Sequence, residues 1–483
     1  MKFNIFVFFI LANFFPFNAQ ANGSGEDIQA ISEGLQPTVR IKGKPSKLSS
    51  LKERMAHYKV PAVSIAFLKD NKISWTHTEG VIDLKSNRPI DENTVFQAAS
   101  ISKPVFASVL MKYRQDNGLN IDVDVNTLLK SWQLPAHQWA SKNKVTLRQL
   151  LSHSAGTTVH GFAGYKDGAD VPSITSLLNG VKPANSAPVV VDIEPGTQFR
   201  YSGGGTTLAQ LILQDQTKST LTELAKKTIF EPLMMQHSSF SQPLVGDLKS
   251  NAAVAHNADG KPIVGGAHTY ATLSAAGLWT TPSDLLRLVS QIQLADLGNN
   301  DSFFSKSTID EMLTPQIPPM GIGFFIAGEG KIISFSHGGA NEGFMAHLFA
   351  HTKTGDGIVI MTNGENGTSL IDEIMIKASE IYHWDEFKPT EKVESTLTPK
   401  LFKSILGKYK ITKPFETTLV ITEERGKFLV NIGKFVKNEM FFPESERQLF
   451  SMTGMSLFIH PNDKAEVNHI SFWGGINAIR EKK

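Results

Sequence analysis

The sequence predicts an α+β protein in which helices flank an antiparallel sheet, followed by a small β-barrel-like C-terminal domain. Short β-type runs occur near both ends of residues 40–385, while helical patterns fill most of 145–290. Strands on both sides of a helical block are expected to meet in one sheet, with a helical unit inserted at about 115–290. A polar, charged linker at 389–399 then precedes a strand-rich region at 400–483.

Length, charge and composition limit the possible classes of function. The chain has 483 residues, more than the roughly 100–200 of one typical domain, so two or three units are expected. A formal net charge of +2 gives no electrostatic reason to expect nucleic acid as a partner. The absence of cysteine excludes disulfides, thiolate metal sites and cysteine nucleophiles. No metal or other cofactor is expected.

The first 21 residues differ from the rest of the chain. Lys2 precedes an apolar run over residues 3–17, and residues 19–21 (Ala-Gln-Ala) have the small-x-small pattern of a signal-peptidase site. Residues 1–21 are therefore predicted to be a cleaved secretory signal, and the mature protein to be secreted or periplasmic. The alternative is a retained membrane anchor, but the run is shorter than the ~20 residues of a bilayer span. The main domain is assigned to 22–388.

The first elements after this segment are a hairpin and a helix. Pro61–Leu68 and Ile73–Thr78 are β-type runs separated by a turn signal, which predicts two paired strands. Proline is tolerated in a helix only around the first turn, so Pro104 predicts a helix that begins close to Ser100 and ends near Gln115.

Asp122, Asp124 and Asn126 have the alternate spacing of a calcium-binding loop. Thr127 stands where an EF-hand needs glycine, and Gln133 where it needs glutamate, so that interpretation fails. A capped turn before a short helix is predicted instead.

The remaining elements follow from apolar periodicity and capping signals. Helices are predicted at 146–151, 206–214, 221–229, 282–289 and 370–382. Strands are predicted at 331–335, 344–350 and 357–361, with a further hairpin at 416–430.

Ser100 and Lys103 are the first candidate site residues. A serine at a helix N-terminus with an amine one turn away is one way to activate a weak nucleophile. The spacing alone is a weak signal, because Ser49 and Ser141 also have a lysine three residues later. The alternative is a helix-capping serine beside a surface lysine.

Two glycine-rich stretches each carry one reactive side chain. Tyr201-Ser202-Gly203 opens a run of three glycines, and His337-Gly338-Gly339 lies at the end of a predicted strand. Glycine lets the backbone approach a ligand closely, so both stretches are candidate parts of a site.

In this order and at these separations, the three motifs at Ser100, Tyr201 and His337 resemble the signature elements of class C β-lactamase, DD-peptidase and D-aminopeptidase-type serine hydrolases. Segments 150–156 and 277–285 resemble that family as well. The resemblance covers about residues 45–385. It implies the β-lactamase/transpeptidase-like fold, a five-stranded antiparallel sheet flanked by helices, with the active site between the sheet and the inserted helical unit.

The resemblance also implies a role for each residue. Ser100 would attack a carbonyl and become acylated, while Lys103 keeps its surroundings cationic or accepts its proton. Tyr201 would act as general base, which requires a phenol pKa well below ~10 that a neighbouring ammonium favours. The N–H groups of Ser100 and Ala340 would hold the oxyanion. The substrate-binding residues implied are His337, Gly338, Gly339, Ala340 and Gly203.

Two departures from the family pattern bear on the substrate. Gly203 stands where β-lactamases usually carry asparagine, and His337 stands where penicillin-binding relatives carry lysine, so a pH-dependent charge is expected there. Both changes remove groups that recognise the amide and carboxylate of β-lactams.

The expected function is an exported serine hydrolase that acts on an ester or amide, with D-amino-acid peptides among the candidate substrates, through a Ser100 acyl-enzyme. Its partner would be a small-molecule or peptide substrate, with no nucleic acid and no membrane span after signal cleavage. One alternative is a class C-type β-lactamase or DD-carboxypeptidase, and another is a non-catalytic peptide- or muropeptide-binding protein. A Ser–His–Asp triad through His153 is disfavoured, because its loop looks structural in relatives.

Overall fold

A computed structural model describes residues 25–299, 302–330, 332–413, 416–433, 436–472 and 475–481. The predicted signal at 1–21 lies outside these ranges. Within them, no helix is both long enough and apolar enough to cross a bilayer.

The strands described are, in chain order, β1 Val39–Ile41, β2 Ala62–Lys69, β3 Lys72–Gly80, β4 Phe96–Gln97, β5 Trp279–Thr280, β6 Phe325–Glu329, β7 Ile332–Asn341, β8 Phe344–His351, β9 Gly357–Thr362, β10 Thr390–Lys392, β11 Gly407–Ile411, β12 Thr417–Glu424, β13 Lys427–Ile432, β14 Val436–Ser445, β15 Gln448–Ser451, β16 Ser456–Pro461, β17 Val467–Phe472 and β18 Ile476–Arg480.

The α-helices described are α1 Gly25–Glu33, α2 Leu51–Tyr58, α3 Ser102–Asn117, α4 Val125–Leu128, α5 Leu147–Leu151, α6 Ile174–Asn179, α7 Gly203–Thr217, α8 Leu221–Ala225, α9 Asp247–Ser250, α10 Leu273–Ala276, α11 Pro282–Asp296, α12 Lys306–Leu313, α13 Gly367–Tyr382 and α14 Pro399–Ile405. A 3₁₀ turn at Ala99–Ile101 precedes α3, and a π-helical turn at Lys226–Phe230 follows α8.

The central sheet is antiparallel, with strand order β3-β2-β9-β8-β7-β6. Strand β2 is buried on both faces because its apolar side chains alternate between two cores. Val63, Ile65 and Phe67 face the core formed with α1, α2 and α13. Ala62 and Ala66 face the larger core, on the side of the inserted helices. The α+β fold and its helix-flanked antiparallel sheet are therefore confirmed.

The sheet has one strand more than the resemblance implied, namely β6. It pairs only with the first half of β7, from Glu329 opposite Ile332 to Phe325 opposite Ser336. The second half of β7, from His337 to Asn341, pairs with β8 alone. One edge of this second half is therefore open.

Several local predictions are confirmed. The hairpin forms as β2 and β3, and α3 begins two residues after Ser100. Asp124 caps α4, because its carboxylate accepts the Asn126 N–H at 3.0 Å. The glycine run at 203–205 forms the first turn of α7, three residues before the predicted start.

The C-terminal strands β11 to β18 form a closed barrel, which confirms the barrel-like prediction. Apolar side chains fill its interior, and α14 contributes Leu401 and Ile405 to the same core. The domain boundaries at 388 and 400 stay a prediction.

The segment at 389–399 is more ordered than a polar linker. Thr390–Lys392 forms β10, which pairs in parallel with β1. Val39 and Ile41 of β1 then pack on Phe442 and Phe450 at the barrel surface. These contacts join the barrel to the N-terminal part of the chain.

Candidate active site

Ser100 lies in the 3₁₀ turn ahead of α3. Its neighbour Ala99 adopts a left-handed conformation with φ of +50°, which is unfavourable for a residue with a side chain. Ser102 holds this turn, since its hydroxyl donates to the Ala99 carbonyl at 2.5 Å and accepts the Leu278 N–H at 3.0 Å. The turn leaves Ser100 half-buried at the wall of a cavity.

Lys103 is the nearest partner of Ser100. Its Nζ lies 3.1 Å from the Ser100 Oγ and 2.8 Å from the carbonyl oxygen of Ala275. The side chain is buried, and this burial lowers its pKa to about 7. A substantial fraction of the amine is therefore neutral at neutral pH and able to accept the serine proton.

Tyr201 precedes α7 directly. Ser202 caps that helix by accepting the Gly205 N–H at 2.8 Å, which fixes the backbone that carries the tyrosine. The Lys103 Nζ lies 4.8 Å from the centre of the Tyr201 ring. Burial raises the pKa of Tyr201 to about 12, opposed by its hydrogen bond with Ser100. The expected low phenol pKa is therefore wrong, because desolvation of the phenolate dominates.

His337 lies in the middle of β7, not at a strand end as predicted. Its Nδ1 is 2.6 Å from the Gly338 carbonyl oxygen, which can only accept, so Nδ1 carries the proton and Nε2 is an acceptor. That Nε2 is buried without a partner among the described atoms. Burial, followed by the charge on Lys103, lowers the pKa of His337 to about 3. The expected pH-dependent charge is therefore absent around neutral pH.

At two positions, glycine lets the backbone pack closely against neighbouring residues. A Cβ on Gly339 would lie 2.3 Å from the Ala98 carbonyl oxygen, so glycine lets β7 lie against the turn that holds Ser100. A Cβ on Gly203 would meet the Phe162 ring at 3.1 Å and the His160 carbonyl oxygen at 3.2 Å. The segment 160–162 thus fills the space that a side chain at position 203 would need.

Two histidines surround the Tyr201 ring. His153 is buried and accepts the Ser202 N–H on Nδ1 at 3.2 Å, with its ring 4.3 Å from that of Tyr201. These contacts position Tyr201 and do not form a triad with Ser100. His160 lies 4.9 Å from the same ring, at the cavity mouth. Sequence reasoning missed His160, because a lone histidine in a loop gives no signal of its own.

The cavity at Ser100 has a volume of about 620 Å³. It brings together every predicted site residue except Gly203, which lies beneath the loop at 160–162. Aromatic side chains form much of its wall, namely Phe162, Phe199, Tyr201 and Phe325. In the part of the chain that the structure describes, no group of three or more histidine, aspartate or glutamate side chains is arranged to hold a metal ion.

The beta-lactamase family model matches residues 49–378. The chain belongs to the beta-lactamase family. Protein flp of Staphylococcus aureus (strain MRSA252) is 23% identical over 319 residues, which are 63% of this chain and 60% of that protein. The chain thus spans about 60% of the length of the curated relative it matches.

Two solved structures share the fold of this beta-lactamase family member. The octameric penicillin-binding protein homologue from Pyrococcus abyssi has a TM-score of 0.61 and 19% identity, and the match covers 89% of this chain and 98% of that one. The structure of SurE with D-Leu has a TM-score of 0.53 and 17% identity, covering 89% and 97%.

Proposed function

We propose that this protein is an exported serine hydrolase that cleaves an ester or amide through an acyl-enzyme on Ser100. The observation that carries the proposal is the 3.1 Å contact between the Ser100 hydroxyl and a buried amine whose pKa is lowered to about 7. A serine nucleophile needs a base within hydrogen-bond reach, and the Lys103 amine meets that requirement.

In the acylation step the Ser100 hydroxyl proton passes to the neutral Lys103 amine as Oγ bonds to the substrate carbonyl carbon. The N–H groups of Ser100 and Ala340 hold the oxyanion. When the tetrahedral intermediate collapses, the bond to the leaving group breaks and the leaving group takes the Tyr201 phenol proton. The Lys103 ammonium then returns its proton to Tyr201. Water repeats the sequence on the acyl-enzyme, which releases the acid and restores Ser100.

The raised pKa of Tyr201 supports the role of proton donor in this scheme. A phenol that keeps its proton can deliver it to a departing alkoxide or amine, whereas a resting phenolate could not. Lys103 would thus take one of the two roles that the resemblance implied for it, that of proton acceptor, while Tyr201 would be a proton donor in the resting enzyme and not the general base.

The substrate class follows from what the cavity offers. The neutral His337 supplies no positive charge where a lysine would supply a cation, so the site is poorly suited to the carboxylate of a β-lactam. Aromatic walls suit an apolar acyl or leaving group. A peptide with a D-amino acid is a reasonable candidate, because the SurE structure of the same fold was solved with D-Leu.

A fluorophosphonate probe tests the proposal on the purified protein. It should label the wild type, and Ser100→Ala should abolish both labelling and the turnover of p-nitrophenyl esters. Ser141→Ala is the matched control, since Ser141 also has a lysine three residues later but is exposed outside the cavity. Labelling that survives in Ser100→Ala would refute the proposal. Saturable ligand binding without acylation would favour a binding protein instead.

A further inference from the structure

The cavity at Ser100 extends past the sheet to the first turns of α13. Its far wall is formed by Thr368, Ile371 and Asp372 of that helix and by His347 of β8. In the register of β7 and β8, His347 lies opposite Gly338, whereas His337 lies opposite Leu348. Because side chains alternate along a strand, His337 and His347 lie on opposite faces of the sheet.

Two features let the cavity pass around β7 between these faces. Strand β6 stops pairing at Ser336, so the edge from His337 onward is open. Gly338, the next residue, has no side chain, and a Cβ built there would meet no atom within 4 Å. A substrate held at Ser100 can therefore extend over this edge to the wall formed by α13.

The charge of the cavity favours a cation at this wall. Its titratable residues are Lys103, Tyr201, His160, His337, His347 and Asp372, with no arginine among the lining residues. Burial lowers the pKa of His337 to about 3 and that of His347 to about 4, so both imidazoles are neutral at neutral pH. Asp372 is the single carboxylate in the lining.

Asp372 has no counter-ion within the described ranges. Burial raises the pKa of its carboxyl, followed by the charge on Glu373, with no opposing contribution from a lysine or arginine. The adjacent Glu373 is already satisfied, since it binds the Arg54 guanidinium and accepts the Tyr58 hydroxyl at 2.7 Å. Asp372 is exposed overall, but its carboxyl is partly desolvated at the cavity wall, and a carboxylate without a partner is stabilised when a cation binds beside it.

His347 provides the second, independent observation. Its Nε2 is buried and has no hydrogen-bond partner among the described atoms, although the residue lines the cavity. The ring is packed from behind by Phe387, at 5.8 Å between ring centres. Buried polar atoms are usually paired, so an unpaired one in a residue that lines a cavity indicates a position for a ligand group.

We propose that the substrate carries a primary ammonium group, which binds at the α13 wall to the Asp372 carboxylate with the His347 imidazole as a second polar contact. This assignment deepens the proposed function and rests on it, because it identifies a charged part of the molecule that Ser100 attacks. An ammonium has three donors and a positive charge, which match a carboxylate oxygen and a neutral acceptor nitrogen.

Fluorescence anisotropy with dansylcadaverine tests the ammonium site without turnover. This probe joins an aromatic body, suited to the phenylalanine walls, to a primary amine, and its N-acetyl form is the uncharged control. The wild type should bind the amine roughly tenfold more tightly than the acetylated form, as expected for about 1.4 kcal/mol. In Asp372→Asn this ratio should fall close to one, while Asp372→Glu should keep most of it.

Asp385→Asn makes the same charge change at an exposed aspartate outside the cavity lining and should keep the wild-type ratio. Equal affinity of the wild type for both probes, no detectable binding of the amine probe, or an unchanged ratio in Asp372→Asn would each overturn the ammonium site. The same titration works on Ser100→Ala protein. A wild-type protein with neither probe labelling nor esterase activity would therefore refute the proposed function, whereas the ratio of the two probe affinities tests the ammonium site alone.

Discussion

At the scale of single residues, the site depends on how burial distributes protons between two side chains. Desolvation disfavours the charged form of each group, so it lowers the pKa of the Lys103 amine and raises that of the Tyr201 phenol. Before substrate binds, the amine is therefore the stronger available base and the phenol remains protonated. If the charge of a Lys103 ammonium outweighed desolvation, the resting pair would instead be an ammonium and a Tyr201 phenolate.

The pH dependence of the reaction follows from Lys103. Its pKa is lowered from 10.5 to about 7, so the amine is neutral above that pH and protonated below it. We expect kcat/KM for p-nitrophenyl acetate to rise about tenfold per pH unit up to about pH 7 and then level off. The measurement is a rate profile between pH 5 and 9.

Tyr201→Phe separates this interpretation from a tyrosine base. The variant should be slower because it lacks the proton donor, but its rate should still rise with a midpoint near pH 7. A profile that loses this midpoint in Tyr201→Phe would assign the titration to Tyr201 and contradict the role of Lys103.

At the scale of secondary-structure elements, the geometry of the site depends on the contact between β7 and the turn that carries Ser100. The Ala98 carbonyl and the backbone of Gly339 approach so closely that no side chain fits between them. This contact sets the distance between the nucleophile and the β7 residues that line the cavity.

Gly339→Ala should therefore misplace these two elements. Its new Cβ would lie 2.3 Å from a backbone oxygen, which cannot move aside as a flexible side chain would. A displacement of about 1 Å in an active site can cost roughly 10²-fold, so we expect a loss of about that size in kcat/KM. Gly338→Ala adds a methyl group in open space and should lose far less. Equal effects of the two changes would contradict a steric origin.

Most of these elements could be predicted because their signals are local. The β2–β3 hairpin and α3 follow from alternation, turn residues and Pro104 alone. The predicted strand at 331–335 stops before the second half of β7, and the helix predicted at 206–214 begins after the first turn of α7, because glycine is a weak signal for both strand and helix. In the structure these glycines serve close packing with Ala98 and the loop at 160–162, which is tertiary information. Strand β6 was missed because it is short and forms by pairing with β7.

The residues of the candidate site could be predicted from the sequence about as well as the elements of the fold. Ser100, Lys103, Tyr201 and the β7 motif surround one cavity as the motifs suggested, with Gly203 just beneath it. The pKa directions were not predictable, since they depend on burial that the sequence does not reveal.

At the scale of the whole molecule, the barrel is attached through a small apolar contact. Phe450 of β15 is buried but lies outside the barrel interior, where it packs with Phe442 against Val39 and Ile41. An ion pair between Lys437 and Asp259, at 2.7 Å, joins the barrel to the inserted helical unit. Exposed ion pairs contribute little, so the apolar contact is expected to stabilise this attachment more than the ion pair does.

Phe450→Ala should loosen the barrel from the rest of the molecule. Truncation of a buried phenylalanine to alanine costs about 3–5 kcal/mol of stability. At Phe450, most of this loss should weaken the contact between the barrel and β1. Calorimetry should show the barrel unfolding earlier and as a separate transition, while p-nitrophenyl acetate turnover is retained. Leu457→Ala, inside the barrel core, should lower barrel stability without affecting the contact to β1. Unchanged unfolding of Phe450→Ala would contradict the assigned attachment.

The partial pairing of β6 with β7 also affects how much of the β7 edge is available to another chain. A ten-residue edge strand with unpaired backbone groups is a template onto which another chain can add, and proteins commonly blunt such edges. Strand β6 covers half of this edge, and the remainder from His337 to Asn341 borders the cavity. The short length of β6 thus leaves five residues of β7 free, which gives room for a substrate while shortening the stretch of β7 onto which another chain could add.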